Sequence, residues 1–148
     1  MGSVRLNAGI EGFFIDELSV GMTAAFAKTI TEADIVMFAG ASGDMNPIHV
    51  NEAYARETRF KGRIAHGFLT GSLISACFAM KLPGPGCVYV SQSMRFRAPV
   101  RPGDTAEARV TVEKIDTDRS LATFATVVSV GDTVVIEGDA VLLVPARA

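Results

Sequence analysis

The chain has 148 residues, of which 49% are hydrophobic and 20% charged, and its formal net charge is −2. That length suits one domain, 1–148, with a sizeable core, and the composition excludes a disordered chain. The acidic balance comes without a long basic run and excludes a nucleic-acid surface. No stretch reaches the ~18 apolar residues of a membrane span.

Residues 1–7 contain charges and no apolar core, so no secretory signal is expected. Residues 13–16 and 22–29 are predicted to be short strands. Thr31 is a predicted N-cap, with Glu32 and Asp34 in the first turn. The helix continues through Ala33, Ile35, Val36, Phe38 and Ala39, and residues 40–43, with Gly40 and Gly43, end it. Gly43-Asp44-Met45-Asn46-Pro47-Ile48-His49 follows. Pro47 breaks any regular helix that would carry Asp44 and His49 on one face. Asn46, before the proline, is pushed toward an extended conformation. The chain must turn here, and such a turn can fold the two side chains back toward one point. Asn51 caps a short helix over 52–57.

Residues 67–80 are apolar almost all round, with small residues inserted, which predicts a helix buried on most sides. Pro83, Gly84, Pro85 and Gly86 stop it. Cys77 and Cys87 lack metal-ligand spacing and are expected to be buried thiols in a reducing compartment, which places the protein in the cytoplasm. Beyond residue 87 the period becomes two. Val88, Val90, Gln92, Met94 and Phe96 alternate with Tyr89, Ser91, Ser93, Arg95 and Arg97. Further strands are predicted at about 104–115, 120–131 and 133–144, with turns at Gly103-Asp104, Asp116 to Arg119 and Gly131-Asp132. One long buried helix followed by a meander of long antiparallel strands predicts an α+β layer, the sheet wrapping the helix. No repeat or linker marks a boundary.

Asp44 and His49 are the candidate chemistry. A carboxylate and an imidazole held around one water are what addition of water to a double bond needs. The same residues also make an Asx-turn and a satisfied structural histidine. His66 is expected to be structural at the helix entry. Asp44-x-Asn46 begins like a calcium loop, but Pro47 and the missing glycine spoil it. Gly84-x-Gly86 is a turn and a poor phosphate loop, because no Lys-Ser/Thr follows.

Three segments carry a resemblance over roughly residues 17 to 144. They are Asp44 to His49, then Ile64-Ala65-His66-Gly67-Phe68-Leu69, then Ser91-Gln92-Ser93-Met94-Arg95-Phe96-Arg97-Ala98-Pro99-Val100 with Gly103-Asp104. They resemble the MaoC-like hot-dog proteins. Within that family they are most similar to the (R)-specific enoyl-CoA hydratases that supply polyhydroxyalkanoate synthesis from fatty acid metabolism. The resemblance implies a hot-dog fold and a homodimer. It implies reversible hydration of trans-2-enoyl-CoA to (R)-3-hydroxyacyl-CoA, with acyl-CoA as the small-molecule partner and no metal or redox cofactor. The family's catalytic Asp and His fall on Asp44 and His49, its motif Asn on Asn46, and its oxyanion-hole glycine on Gly67.

On that reading Asp44 accepts a proton from water and His49 holds the same water, with the division between base and acid left open. Asn46 orients Asp44 or the water. Backbone N–H groups at the helix start, where Gly67 permits close approach, receive the developing enolate oxygen. Ser75 and apolar helix residues, Phe68 among them, line an acyl tunnel for short to medium chains. Arg95, Arg97 and Arg63 are candidates for the CoA phosphates. The competing expectations are a small core residue bonding back to a helix carbonyl for Ser75, and a solvated strand face for Arg95 and Arg97. Three other activities stay open: a dehydratase for acyl-carrier-protein or substituted CoA thioesters, a non-catalytic acyl-CoA-binding module, and a thioesterase.

Overall fold

The period-two segments assemble into one antiparallel sheet of six strands. The structure, a computed structural model, describes residues 12–148. Residues 1–7, read above as lacking a secretory signal, lie outside them. The elements in chain order are β1 (Thr23–Thr29), α1 (Glu32–Ser42), α2 (Pro47–Val50), α3 (Glu52–Arg56), α4 (Gly67–Met80), β2 (Val88–Gln92), β3 (Arg95–Phe96), β4 (Thr105–Asp116), β5 (Leu121–Val130) and β6 (Thr133–Leu143). The sheet order is β1-β4-β5-β6-β2, and β3 also pairs with β6.

Register follows the alternation of side chains, because a slip by one residue would turn every core residue outward. Val110 pairs with Thr126, and Phe124 with Ala140. Along β4 and β5 every second residue is buried: Ala106, Ala108, Val110 and Val112, then Ala122, Phe124, Thr126 and Val128. Leu73, Ile74, Cys77 and Phe78 of α4 join the same buried core. The alanines of the sheet are small, so the helix lies close to the strands. The Phe78 and Phe124 rings meet edge-on with centroids 4.9 Å apart, a favoured geometry for an aromatic pair. Burial raises the thiol pKa of both Cys77 and Cys87, and both are unpaired. No helix among the described residues is long and apolar enough to cross a membrane.

The buried face of α4 is only part of its circumference. Phe68, Ser72, Ser75, Ala79 and Met80 are exposed. The edge strand β2 exposes Val88, Tyr89 and Val90 as well. The expectation of a helix buried on most sides therefore holds for the sheet-facing side alone.

Four local expectations need correction. The segment 13–16 is no strand. Ile15–Glu17 forms a 3-10 turn, closed by the Phe14 N–H donating to Glu17 Oε2 at 2.7 Å. Gly40 lies inside α1; the helix ends at Gly43, whose φ of +82° glycine adopts without strain. Pro47 starts α2 instead of interrupting a helix, since the first helical position needs no N–H donor. The run 88–97 divides into β2 and β3, because the pairing with β6 shifts between Tyr89 and Ser91 and Ser93 bonds across to Asp139. The N-cap at Thr31 is as expected: its Oγ1 accepts the Asp34 N–H at 3.1 Å, and Asp34 Oδ2 accepts the Thr31 N–H at 2.9 Å.

Phe124 is fully buried at the centre of this packing. Phe124→Ala is expected to lower the unfolding free energy by about 3–5 kcal/mol, measured by urea denaturation. A loss under about 1 kcal/mol, the scale of an ordinary surface change, would contradict the core assignment.

Candidate active site

Three residues of an extended segment, Ile64–His66, tie the Asp44–His49 bend to the start of α4. The Ile64 N–H donates to Ile48 O at 3.1 Å, and Ile64 O receives His49 Nδ1–H at 2.8 Å. Two residues on, His66 Nε2–H donates to Asp44 O at 2.9 Å. Backbone carbonyls can only accept, so these bonds place the His49 proton on Nδ1 and leave its Nε2 lone pair free. The two imidazole rings stack with centroids 4.0 Å apart.

Asp44, exposed, closes an Asx-turn: the Asn46 backbone N–H donates to its Oδ1 at 3.2 Å. The Asn46 side chain has another partner, since its Oδ1 accepts the Ile48 N–H at 3.2 Å and so caps α2. Asn46 thus orients Asp44 through its backbone. Asp44, His49 and His66 each offer one polar atom, all within 4.8 Å of one another. Such a cluster is small enough to share one water or one ion.

His49 is buried, and that burial pushes its imidazole pKa below the ordinary 6.5. The neighbouring His66 acts in the same direction, while the Ile64 carbonyl and Asp44 oppose it. The neutral ring is the favoured form in the fold.

Gly67 opens α4, and His66 is its N-cap without a side-chain cap bond. The first-turn N–H groups of α4 therefore lack an intrahelical or capping partner and carry the positive end of the helix dipole. A Cβ on Gly67 would lie 2.6 Å from Cε1 of Phe96, so glycine is required for the Phe96 ring to cover the helix start. A cleft of about 380 Å³ opens beside it. His49, Gly67, Phe68, Thr70, Phe96 and Ile136 contribute to its wall, and Arg59 and Arg97 stand among its lining residues.

The other sequence candidates divide. Phe68 lines this cleft and also a second hollow of about 420 Å³, where Ser75 lies with Gly71, Tyr89 and Met94. Partial desolvation pushes the Tyr89 phenol up to about 12, although the side chain stays partly exposed. Ser75 is exposed and is no core residue. Arg95 is exposed on β3, and Arg97 is ion-paired with Glu137. Arg63 is not free for a phosphate. It bonds Glu32 and Glu52 and donates to His49 O at 3.3 Å. The Arg63 side chain on Glu32, and the Arg63 backbone N–H and side chain on Glu52, hold both carboxyls below their usual pKa range. Arg59 and Phe60 escaped the sequence reading, although the cation-rich run Arg56, Arg59, Lys61, Arg63 was a usable signal.

A family model described as the MaoC like domain matches residues 19–130. A relative from Rhodospirillum rubrum named (R)-specific enoyl-CoA hydratase is 52% identical over 90% of this chain and 93% of its own. One from Methylorubrum extorquens named 3-hydroxybutyryl-CoA dehydratase is 47% identical over 90% of this chain and 85% of its own. Among solved structures, an (R)-hydratase from A. caviae involved in PHA biosynthesis superposes with a TM-score of 0.84 at 37% identity, over 87% of this chain and 98% of its own.

The lowered pKa of His49 has a definite sign. Its neutral form contributes stability that is present above pH 6.5 and is lost as pH falls toward the depressed folded value. An NMR titration of the imidazole protons is expected to show a midpoint below 6.5 that disappears in His49→Gln. A midpoint at or above 6.5 would contradict the burial argument.

Proposed function

The chain belongs to the MaoC-like domain family, and we propose that it is an (R)-specific enoyl-CoA hydratase. The fold is the hot-dog arrangement expected from the sequence, a long antiparallel sheet around a central helix. The enzyme is a hydro-lyase. It adds water reversibly to trans-2-enoyl-CoA and yields (R)-3-hydroxyacyl-CoA. The observation that carries this reading is the meeting of Asp44, His49 and the uncapped start of α4 through Ile64–His66.

The reaction needs three things at one place. A base takes a proton from water as its oxygen bonds the β-carbon. The π electrons then move onto the thioester oxygen. A proton finally reaches the α-carbon and completes the addition. Asp44 and His49 hold the water between them and share the proton transfers. The free Nε2 of neutral His49 accepts a hydrogen bond from that water or takes its proton. Burial keeps this lone pair available at neutral pH. The N–H of Gly67, at the positive end of α4, receives the developing enolate oxygen. Asn46 keeps Asp44 aimed by its backbone N–H. Every proton taken from water is returned to the product, so this chain's side chains suffice for the proton transfers.

The cleft beside His49 and Gly67 is mostly apolar and takes the acyl chain, with Phe68 at its border. Arg59 at the cleft, with the exposed Arg95 on β3, offers cations suited to the CoA phosphates, whereas Arg97 beside them is ion-paired with Glu137. Ser75 lies in the second hollow, which shares Phe68 with this cleft. A second copy of the chain covers the exposed face of α4 and edge strand β2. Support for this homodimer comes from Phe68, Met80, Val88, Tyr89 and Val90, all large, apolar and exposed. A cytoplasmic setting fits two unpaired thiols.

Asp44→Asn and His49→Ala are each expected to lower kcat for crotonyl-CoA hydration on the order of 100- to 10,000-fold, with the fold retained by circular dichroism. Near-normal turnover in both folded variants would end the assignment of roles.

A further inference from the structure

We infer that His66 is a positioning residue for this hydration, one that locks the Asp44 backbone, the His49 ring and the first turn of α4 into a single arrangement. The inference rests on the hydratase reading above and deepens it.

His66 touches both halves of the proposed acid/base pair. Its Nε2–H donates to the carbonyl of Asp44 at 2.9 Å. Its ring stacks on His49 at a centroid distance of 4.0 Å and an interplanar angle of 30°. Phe38 of α1 closes another side, with centroids 4.8 Å apart. The residue is 1% exposed. Its backbone begins the helix, since its carbonyl accepts the Thr70 N–H at 3.1 Å and Gly67 follows it directly. A shift of His66 therefore displaces Asp44, His49 and the Gly67 N–H together.

Two features argue against a merely structural helix cap. A capping side chain bonds the first-turn N–H groups, and serine, threonine, aspartate or asparagine does this best. His66 makes no such bond and points its Nε2 across to Asp44 instead. Its Nδ1 is buried without a hydrogen-bond partner among the described residues. An unpaired buried polar atom is costly, and a phenyl ring would fill the space without that cost. What the imidazole adds over a phenyl ring is the Nε2 donor. The contacts His66 makes at the site are to Asp44 and His49, so it acts through them.

The test compares wild type with His66→Phe, His66→Leu and His66→Gln, using crotonyl-CoA and circular dichroism on each. Wild-type turnover comes first, because its failure would overturn the hydratase reading and not the role of His66 within it. His66→Phe keeps a ring and loses the donor; glutamine restores an N–H of similar reach. For folded His66→Phe, kcat is expected to fall about 10- to 100-fold, the scale of a misplaced catalytic group. KM is expected to stay within about threefold, because the lost interaction does not bind substrate. His66→Gln is expected to recover at least about fivefold of the lost kcat, by restoring the alignment of the reacting groups. Should His66→Phe not fold, the same fivefold difference is read between His66→Gln and His66→Leu. Equal kcat in folded variants with and without the donor would overturn the inference. So would failure of all three to fold, which would assign His66 to stability alone.

Discussion

The site depends on one short seam of hydrogen bonds between Ile64–His66 and the Asp44–His49 bend. Each bond in it fixes something chemical. Ile64 O sets the His49 tautomer, Ile64 N–H anchors α2 through Ile48 O, and His66 Nε2 holds the Asp44 carbonyl. The seam is itself held to the sheet side of the molecule, because the Ala65 N–H donates to Val100 O at 2.7 Å. The proposed acid/base pair, with Asp44 exposed, would otherwise sample many geometries, and alignment is worth far more than proximity alone.

The sheet supplies the rigid frame for that seam. Alanines at Ala106, Ala108, Ala122 and Ala140 bring α4 close to the strands, and Phe78 and Phe124 fill the remaining space. Glycines then govern what covers the exposed side of the helix. Gly67 receives the ring of Phe96, and Gly71 receives Met94, whose Sδ would lie 2.6 Å from an added Cβ. The segment between β2 and β3 is thereby seated against the helix start. The fold thus positions an uncapped helix N-terminus beside a buried imidazole whose neutral form is favoured, on a largely apolar cleft. In such surroundings oriented N–H dipoles act more strongly on developing charge than they would in water.

Much of this was legible in the chain, and the reasons for the failures are local. The strands of the meander announce themselves by alternation, and α4 by its apolar run and the Pro83–Gly86 stop. The Thr31 cap was readable because its partner, Asp34, lies three residues away. The turn at Ile15–Glu17 was missed because one carboxylate bonding one backbone N–H outweighs a short apolar pattern. Pro47 was read as a helix breaker, though proline at a first helical position starts a helix. The Asp44 and His49 pairing was legible as a motif. The roles of His66 and Arg63 were not, because each is defined by partners distant in sequence: Asp44 for one, Glu32 for the other. Position beside a helix start says nothing about which way a side chain turns.

The most direct measurement follows the enoyl-thioester absorbance of crotonyl-CoA with wild-type protein and determines the configuration of the product. The account predicts loss of that absorbance with formation of (R)-3-hydroxybutyryl-CoA and no release of free CoA thiol. Formation of the (S) product, release of thiol, or unchanged absorbance across short and medium enoyl-CoA substrates would contradict it.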